Sequence, residues 1–387
     1  MSLSNSKINS GFCSRIICFF CVVQIAAADS TAFMPSTPVI NAPTYVLFDY
    51  RSGKVLASKE PNMRVAPASI TKIMTVYAAA QAIRAGLIGL QDRVVVSEKA
   101  WRMKGSRMFI EVNKTVSVDQ LLDGIIVQSG NDASVALAEH VSGSEESFAT
   151  VMNAYAKRLG MLDSKFSNST GWPDPDNYVT AVDVAKLSAA LIQQFPSIYS
   201  RFAKSDYTFN NINQKNRNRL LKLDPSVDGI KTGFTERAGY CLVSSAIRDD
   251  MRLITVVMGT TTPNLRNSES RKLLNYGFRN YESKSLYAEE DVVLEVRAWR
   301  SSTKNARVGP LKSVYLPIPR GSFDNLEAIA HIDNKVIAPR QFGDEVGWIE
   351  VRLLDKEIGR IPLKLMDKID EGPLFSRLYD DVLMFFE

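Results

Sequence analysis

Hydrophobic and polar positions divide the chain into two regions with different patterns. The first region starts with residues 45–50 and 51–57, which predict a β-hairpin that turns at residues 51–53. Helical periodicity follows from residue 69 to near Gly86, and it returns in four later stretches. These stretches are residues 118–127, 133–141, 145–159 and 182–192.

The same region closes on two more strands and one more helix. Residues 238–246 and 253–258 are expected to pair through a turn at 248–250, and residues 265–281 are expected to be helical. Strands at both ends with helices between them predict an α/β (α+β) fold, in which helices flank an antiparallel sheet and form an inserted helical subdomain. We expect this domain to span residues 29–283.

From about residue 284 the pattern changes to short alternating runs. Alternation with a period of two predicts a small all-β, sandwich-like domain over residues 284–368. The five runs are residues 292–299, 313–317, 328–331, 347–354 and 357–363.

The last segment, residues 369–387, predicts an amphipathic helix. Its apolar face is strongly aromatic, and such a face can lie in a membrane interface or pack on the protein itself. The residues of this face are Leu374, Phe375, Leu378, Tyr379, Val382, Leu383, Phe385 and Phe386. Of these two possibilities, we expect that the helix contacts the membrane.

The first 28 residues predict a secretory signal peptide. Lys7 and Arg15 supply positive charge, residues 16–25 are apolar except for Gln24, and residues 26–28 offer a cleavage site. The apolar run is shorter than the ~20 residues of a membrane span. We therefore expect an exported protein, and an uncleaved N-terminal anchor is the alternative.

Composition limits the chemistry. The 387 residues are 45% hydrophobic and 23% charged, which is typical of a soluble globular protein with about two domains. Loss of residues 1–28 leaves Cys241 as the single cysteine and lowers the formal net charge from +5 to +3. No Lys/Arg run of the kind that binds nucleic acid is present. With His140 and His331 as its two histidines, the chain offers little for a metal site or for histidine acid–base chemistry.

Three short motifs carry candidate chemistry. They are S-x-x-K at residues 69–72, S-x-N at 129–131 and K-T-G at 231–233. The spacing places Ser69 and Lys72 on one helix face about one turn apart. A serine hydroxyl needs an adjacent base, and Lys72 can serve as that base only when burial or the helix dipole makes it neutral.

The trio of motifs resembles that of class A β-lactamases and penicillin-binding proteins. Longer stretches around the motifs, and the order of the segments, resemble the serine D-alanyl-D-alanine carboxypeptidases, which are low-molecular-weight penicillin-binding proteins. These stretches are residues 66–72, 129–133, 216–218 and 227–242. The signal peptide, the β-rich second domain and the terminal helix occur in the same order in membrane-anchored members of that family.

The resemblance implies a role for each matched position. Ser69 would be the acylated nucleophile, Lys72 its proton acceptor, and Ser129 a proton relay to the leaving amine. The backbone N–H groups of Ser69 and Phe234 would form an oxyanion hole, although some relatives have histidine at the position of Phe234. The implied substrate-binding residues are Asn131, Lys231, Thr232, Gly233 and Arg217. For Arg217, a loop arginine on the surface is the alternative.

The implied function is removal of the terminal D-Ala from peptidoglycan pentapeptides through an acyl-enzyme on Ser69, with β-lactams acylating the same serine. No cofactor or metal is expected. The implied location is the periplasm, with the C-terminal helix touching the outer face of the cytoplasmic membrane.

Several alternatives stay open. A class A β-lactamase needs a glutamate that activates the deacylating water. Between S-x-N and K-T-G, the glutamates are Glu139, Glu145 and Glu146, and all three follow closely on S-x-N. The acidic residues in the later stretch 166–176 are aspartates. A DD-endopeptidase would use the same acyl-enzyme. A membrane-tethered cell-wall scaffolding protein would keep the fold without the reaction. A Ser-His-Asp hydrolase is disfavoured, because nothing in the sequence brings either histidine to Ser69.

Overall fold

The computed structural model describes residues 35–332 and 335–386. The predicted signal peptide, residues 1–28, lies outside the described residues.

The first domain combines strands and helices. Its described strands are β1 (Thr44–Asp49), β2 (Val55–Lys59), β3 (Arg93–Val95), β4 (Thr115–Ser117), β5 (Asp206–Phe209), β6 (Ile212–Lys215), β7 (Val227–Thr235), β8 (Gly239–Arg248) and β9 (Met251–Thr260). Its described helices are α1 (Lys72–Arg84), α2 (Glu98–Trp101), α3 (Val118–Asp123), α4 (Asn131–Ser142), α5 (Glu145–Arg158), α6 (Ala181–Gln194), α7 (Pro196–Tyr199), α8 (Leu220–Leu223) and α9 (Pro263–Asn280). Short 3₁₀ turns cover Ala68–Thr71 and Ser200–Ala203, and a π-helical turn covers Gly124–Gln128.

Five of these strands form one antiparallel sheet in the order β2-β1-β9-β8-β7. The predicted hairpin is present as β1 paired with β2, and β8 pairs with β9 around the predicted turn. Helices α1 to α8 are inserted between β2 and β7. The predicted sheet with an inserted helical subdomain is therefore confirmed. Strand β7, which carries K-T-G, was not predicted.

Both faces of this sheet are buried. On β1, Val46 and Phe48 join the core of the inserted helices, whereas Leu47 joins the core on the other face. That second core includes Leu273 and Leu274 of α9. The edge strand β7 borders the inserted helices, and this edge positions the site described below.

The second domain is all-β before its final helix. Its described strands are β10 (Tyr281–Tyr287), β11 (Leu294–Trp299), β12 (Asn305–Gly309), β13 (Val314–Pro319), β14 (Leu326–Ile332), β15 (Val336–Ile337), β16 (Glu345–Leu353) and β17 (Lys356–Leu365). They form a six-stranded sheet, β14-β16-β17-β12-β11-β15, and a two-stranded sheet, β10-β13. The predicted all-β domain is confirmed, although β10, β12 and β15 were not predicted. The expected boundary between residues 283 and 284 falls inside β10.

The chain ends in α10 (Leu374–Phe386), which docks on the second domain through its polar side. The nearly buried Asp380 accepts hydrogen bonds from the backbone N–H of Arg300 (2.7 Å) and from Arg297 Nη2 (3.1 Å). The apolar side chains point outward, and Phe375 and Phe385 are each 85% exposed. Within residues 35–332 and 335–386, no helix is long and apolar enough to cross a bilayer.

Candidate active site

Ser69 and Lys72 meet where a 3₁₀ turn becomes a helix. Ser69 lies in the turn Ala68–Thr71 rather than in the first turn of α1, and Lys72 opens α1. Lys72 Nζ lies 3.2 Å from Ser69 Oγ, so the two side chains share one face as their spacing indicated. This distance allows direct proton transfer between the lysine and the serine.

Lys72 is fully buried, and its ammonium group is held by acceptors from distant parts of the chain. Nζ donates to Asn131 Oδ1 at 2.7 Å and to the Thr170 carbonyl at 2.6 Å. Asn131 also donates from Nδ2 to the Lys104 carbonyl at 2.7 Å, which fixes the orientation of its amide. These contacts aim the Lys72 amine at the serine hydroxyl.

The protonation of Lys72 is shifted towards the neutral form. Burial lowers the pKa of Lys72 to about 7, and the positive charge of Arg217 acts in the same direction. The carboxylates of Asp132 and Glu145 oppose the shift but do not cancel it. A lysine with a pKa near 7 is partly neutral at physiological pH and can accept a proton.

Ser129 occupies a strained backbone position beside this pair. It follows the π-helical turn Gly124–Gln128 and has φ +65°, a conformation that non-glycine residues rarely adopt. Its side chain is buried, and its Oγ has no hydrogen-bond partner among the described residues. An oriented hydroxyl without a partner in a pocket wall is available to a ligand.

The K-T-G residues lie on β7, the edge strand of the main sheet. Lys231 is buried, and this burial together with the charge of Lys72 holds the pKa of Lys231 well below its usual range. A Cβ on Gly233 would lie 3.2 Å from the Pro67 carbonyl oxygen and 3.2 Å from Ile70 Cγ1. Glycine therefore lets the strand approach the turn that carries Ser69, a role the sequence did not indicate.

The three motifs open into one pocket of about 550 Å³. Ser69, Ser129, Asn131, Thr232 and Gly233 line it, together with the exposed side chain of Arg217. Among the described lining residues there is no carboxylate. The pocket therefore has a positive character that suits an anionic ligand.

Two loops that the sequence did not link to the site complete its walls. Gly105 and Ser106 belong to a loop held by Asp132, whose carboxylate accepts the backbone N–H groups of Met108 and Phe109, both at 2.8 Å. The loop from Thr170 to Pro173 belongs to the stretch 166–176. It is held by Glu145, which accepts from Ser169 Oγ at 2.7 Å. The carboxylates of Asp132 and Glu145 therefore fix the positions of the two loops that complete the pocket walls.

Arg266 is a pocket residue that the sequence analysis missed. It projects from α9 and is 7% exposed, and its guanidinium donates to the carbonyls of Gly233 (3.2 Å) and Cys241 (3.4 Å). Within the described part of the chain it has no carboxylate partner, and its Nε makes no hydrogen bond. A buried, unpaired arginine in a pocket wall is suited to bind a ligand carboxylate.

The remaining candidate groups lie outside this machinery. His140 and His331 are absent from the described lining, and each lies beside a carboxylate, Asp92 at 3.6 Å and Glu350 at 2.9 Å. Cys241 is buried and its pKa is raised to about 11, so its thiol stays protonated. Ser69 is thus the pocket group with an adjacent base.

Phe234 follows Gly233 at the pocket mouth. Its ring is about half exposed, with 49% of its surface accessible, and it stacks on Tyr240 with the ring centroids 4.2 Å apart. The side chain forms part of the lining, while its role as a backbone donor depends on the N–H group alone.

Comparison with known proteins agrees with this geometry. The family described as D-alanyl-D-alanine carboxypeptidase matches residues 31–262, and the C-terminal domain of penicillin-binding protein 5 matches residues 281–371. The D-alanyl-D-alanine carboxypeptidase DacC of Escherichia coli (strain K12) is 42% identical over 368 residues, which cover 93% of this chain and 91% of the relative.

Solved structures give the same result. Penicillin-binding protein 5 from Haemophilus influenzae is 39% identical and superposes with a TM-score of 0.85, covering 87% of this chain and all of that chain. Penicillin-binding protein D2 from Listeria monocytogenes, solved in the ampicillin-bound form, is 26% identical with a TM-score of 0.58 and covers 63% of this chain and 100% of that one. The chain therefore belongs to the D-alanyl-D-alanine carboxypeptidase family, peptidase S11.

Proposed function

We propose that this protein is a serine D-alanyl-D-alanine carboxypeptidase that removes the terminal D-Ala from peptidoglycan stem peptides. The observation that carries the proposal is the 3.2 Å contact between Ser69 Oγ and a buried Lys72 Nζ, within a pocket of positive character. A serine beside a neutral lysine is an activated nucleophile.

The positions of the side chains support the following proposed reaction. Neutral Lys72 takes the hydroxyl proton while Ser69 Oγ bonds to the carbonyl carbon of the penultimate D-Ala. The C–N bond breaks, and the terminal D-Ala leaves after its amine receives a proton through Ser129. Water then hydrolyses the ester and restores the Ser69 hydroxyl. The backbone N–H groups of Ser69 and Phe234 are assigned to the oxyanion, and such donors contribute about 3–4 kcal/mol each.

The cationic wall gives a reason for carboxypeptidase rather than endopeptidase activity. Arg217 and Arg266 line the pocket together with Thr232, and the buried Lys231 precedes Thr232 on β7. We propose that these groups bind a carboxylate next to the scissile bond. A terminal D-Ala supplies that carboxylate, whereas an internal peptide bond presents an amide at the same position.

β-Lactams fit the same pocket chemistry. The Listeria relative binds ampicillin, which carries a carboxylate beside a strained amide. Attack by Ser69 would open the ring and leave an ester on the serine. Because the described pocket lining offers no carboxylate to activate water, we expect slow release, unlike in a class A β-lactamase.

A capped substrate tests the proposed specificity. The protein should release D-alanine from a soluble pentapeptide ending in D-Ala-D-Ala. The same peptide with a C-terminal carboxamide should react about 100-fold more slowly in kcat/KM, because the cationic side chains lose their carboxylate partner. The measurement is chromatography of the released D-alanine and, for the capped peptide, of the released D-alaninamide. Equal rates for the free and the capped peptide would support an endopeptidase, and no release from either peptide would contradict the proposed function.

We further propose that the protein is periplasmic and that α10 lies on the membrane surface. Its polar side is held by Arg297 and Arg300, so docking leaves the aromatic side free for lipid.

Deleting residues 372–387 should move the protein from the membrane fraction to the soluble fraction. The double substitution Phe375→Ser/Phe385→Ser should weaken vesicle binding about tenfold, because it removes two large apolar side chains from the exposed face. Flotation with liposomes measures both changes. Phe342→Ser is the control, since Phe342 is 63% exposed elsewhere on the same domain. Unchanged flotation of the truncated protein would refute the proposed contact.

A further inference from the structure

A second cavity, larger than the catalytic pocket, runs along the first domain. It has a volume of about 1350 Å³ and lies between α9, the segment 215–223, the turn between β8 and β9, and Arg320 of the second domain. The proposed reaction does not use it. We call this cavity the α9 groove.

The α9 groove is strongly basic. Five of its lining side chains are exposed cations that have no carboxylate partner among the described residues. They are Arg219, Lys222, Arg271, Lys272 and Arg279. Among the described residues of its lining, Asp249 is the one acid. Clustered like charges repel one another, and a cleft lined by one sign of charge concentrates counter-ions, so the α9 groove favours a polyanionic ligand.

Amide side chains add a second recognition element. Asn216, Asn218, Asn264, Asn267 and Asn275 also line the α9 groove. Asn267 is 5% exposed, and its Oδ1 has no hydrogen-bond donor within the described residues. A buried carbonyl oxygen without a donor calls for an N–H or O–H group on the ligand. A peptide supplies both N–H groups and carboxylates, whereas a phosphodiester backbone supplies acceptors alone.

The α9 groove and the catalytic pocket share their walls. In the segment 216–218, the middle residue Arg217 lines the catalytic pocket, while its two neighbours line the α9 groove. On α9, Arg266 likewise lines the catalytic pocket, whereas its neighbour Asn267 lines the α9 groove. Neighbouring residues of the same two segments therefore line the two cavities, which adjoin each other in the first domain.

We propose that the α9 groove binds a second, carboxylate-bearing stem peptide of the same peptidoglycan polymer. The proposal rests on the proposed function, because that function places the first peptide in the adjoining pocket. The second contact increases affinity for polymeric wall material and leaves the turnover of short soluble peptides unchanged.

Charge reversal tests the proposal. Lys222→Glu/Arg271→Glu reverses one cation on each wall of the α9 groove. Lys114→Glu/Lys157→Glu is the matched control, with the same change in net charge at exposed lysines outside both cavities. The measurements are co-sedimentation with insoluble peptidoglycan and D-alanine release from a short pentapeptide. The groove variant should bind peptidoglycan about tenfold more weakly, while its short-peptide kcat/KM and that of the control should match wild type.

Two further arms identify the ligand chemistry. Amidating the carboxylates of the peptidoglycan should weaken its binding to wild type about tenfold. The same amidation should not weaken peptidoglycan binding by the groove variant any further. Phosphatidylglycerol vesicles should bind wild type and the groove variant equally. The proposal would be overturned if wild type and the groove variant bound peptidoglycan equally, or if the control lost as much peptidoglycan binding as the groove variant. It would also be overturned if the groove variant lost binding to vesicles alone. Failure of wild type to release D-alanine would instead refute the proposed function.

Discussion

Replacing Ser69 with alanine is expected to abolish both penicillin acylation and D-alanine release. Wild type should gain the full mass of one penicillin molecule, because ring opening adds the antibiotic without a leaving group. The variant lacks the oxygen that forms the ester, so turnover should fall by about 10⁶, the scale known for loss of a serine nucleophile. Intact-protein mass spectrometry and peptide mapping measure the adduct and its position.

The fold should survive this substitution. The two other acceptors of the Lys72 ammonium, Asn131 Oδ1 and the Thr170 carbonyl, remain in place, so the unfolding midpoint should shift by no more than about 2 °C. Ser58→Ala, at an exposed serine on β2, is the control that keeps the adduct. An adduct on Ser129 or elsewhere in the Ser69→Ala protein would show that Ser69 is not the nucleophile.

Local spacing explains what the sequence could predict of the site. Ser69 and Lys72 are three residues apart, and any helical turn places such side chains together, as their 3.2 Å separation shows. The hairpin of β1 and β2 and helix α6 were likewise predicted from short-range patterns. These features depend on neighbours along the chain.

Features that depend on the assembled fold could not be predicted in this way. The Thr170 carbonyl reaches Lys72 from 98 positions away, and no local pattern links the two. In the sequence, Arg266 belongs to a largely polar stretch of α9 and has the pattern of a solvated helix arginine. In the folded protein it lines the catalytic pocket. Strand β7 shows no alternation of apolar and polar residues, because the residues from Gly229 to Gly233 are all buried.

The groups that set the pKa of Lys72 also depend on the fold. Sequence reasoning required a neutral lysine and named burial and the helix dipole as possible causes. In the folded protein burial is the larger influence on the pKa of Lys72, and Arg217 supplies the additional positive charge. The segment that carries Arg217 lies far from α1 in sequence, so its influence required the three-dimensional structure.

The pH dependence of acylation follows from the pKa of Lys72. Only neutral Lys72 can accept the serine proton, and its pKa is about 7, so kcat/KM should rise with pH through a limb near 7. One unit below that pKa about a tenth of the molecules are competent, so the rate should fall about tenfold per unit of acidification. Arg217→Gln removes a charge that lowers this pKa, and it should move the limb to higher pH. Acylation by a fluorescent penicillin, followed from about pH 5.5 to 9, measures the profile.

Lys72→Arg is expected to reduce acylation by about 10³, because a guanidinium keeps its proton at every accessible pH and cannot act as the base. The substitution retains a cation at the position, so it separates the need for charge from the need for a neutral amine. Lys157→Arg, at an exposed lysine of α5, is the matched control and should match wild type. If Lys72→Arg kept most of the acylation rate, or if its residual rate showed the same limb near pH 7, then another group would be the proton acceptor.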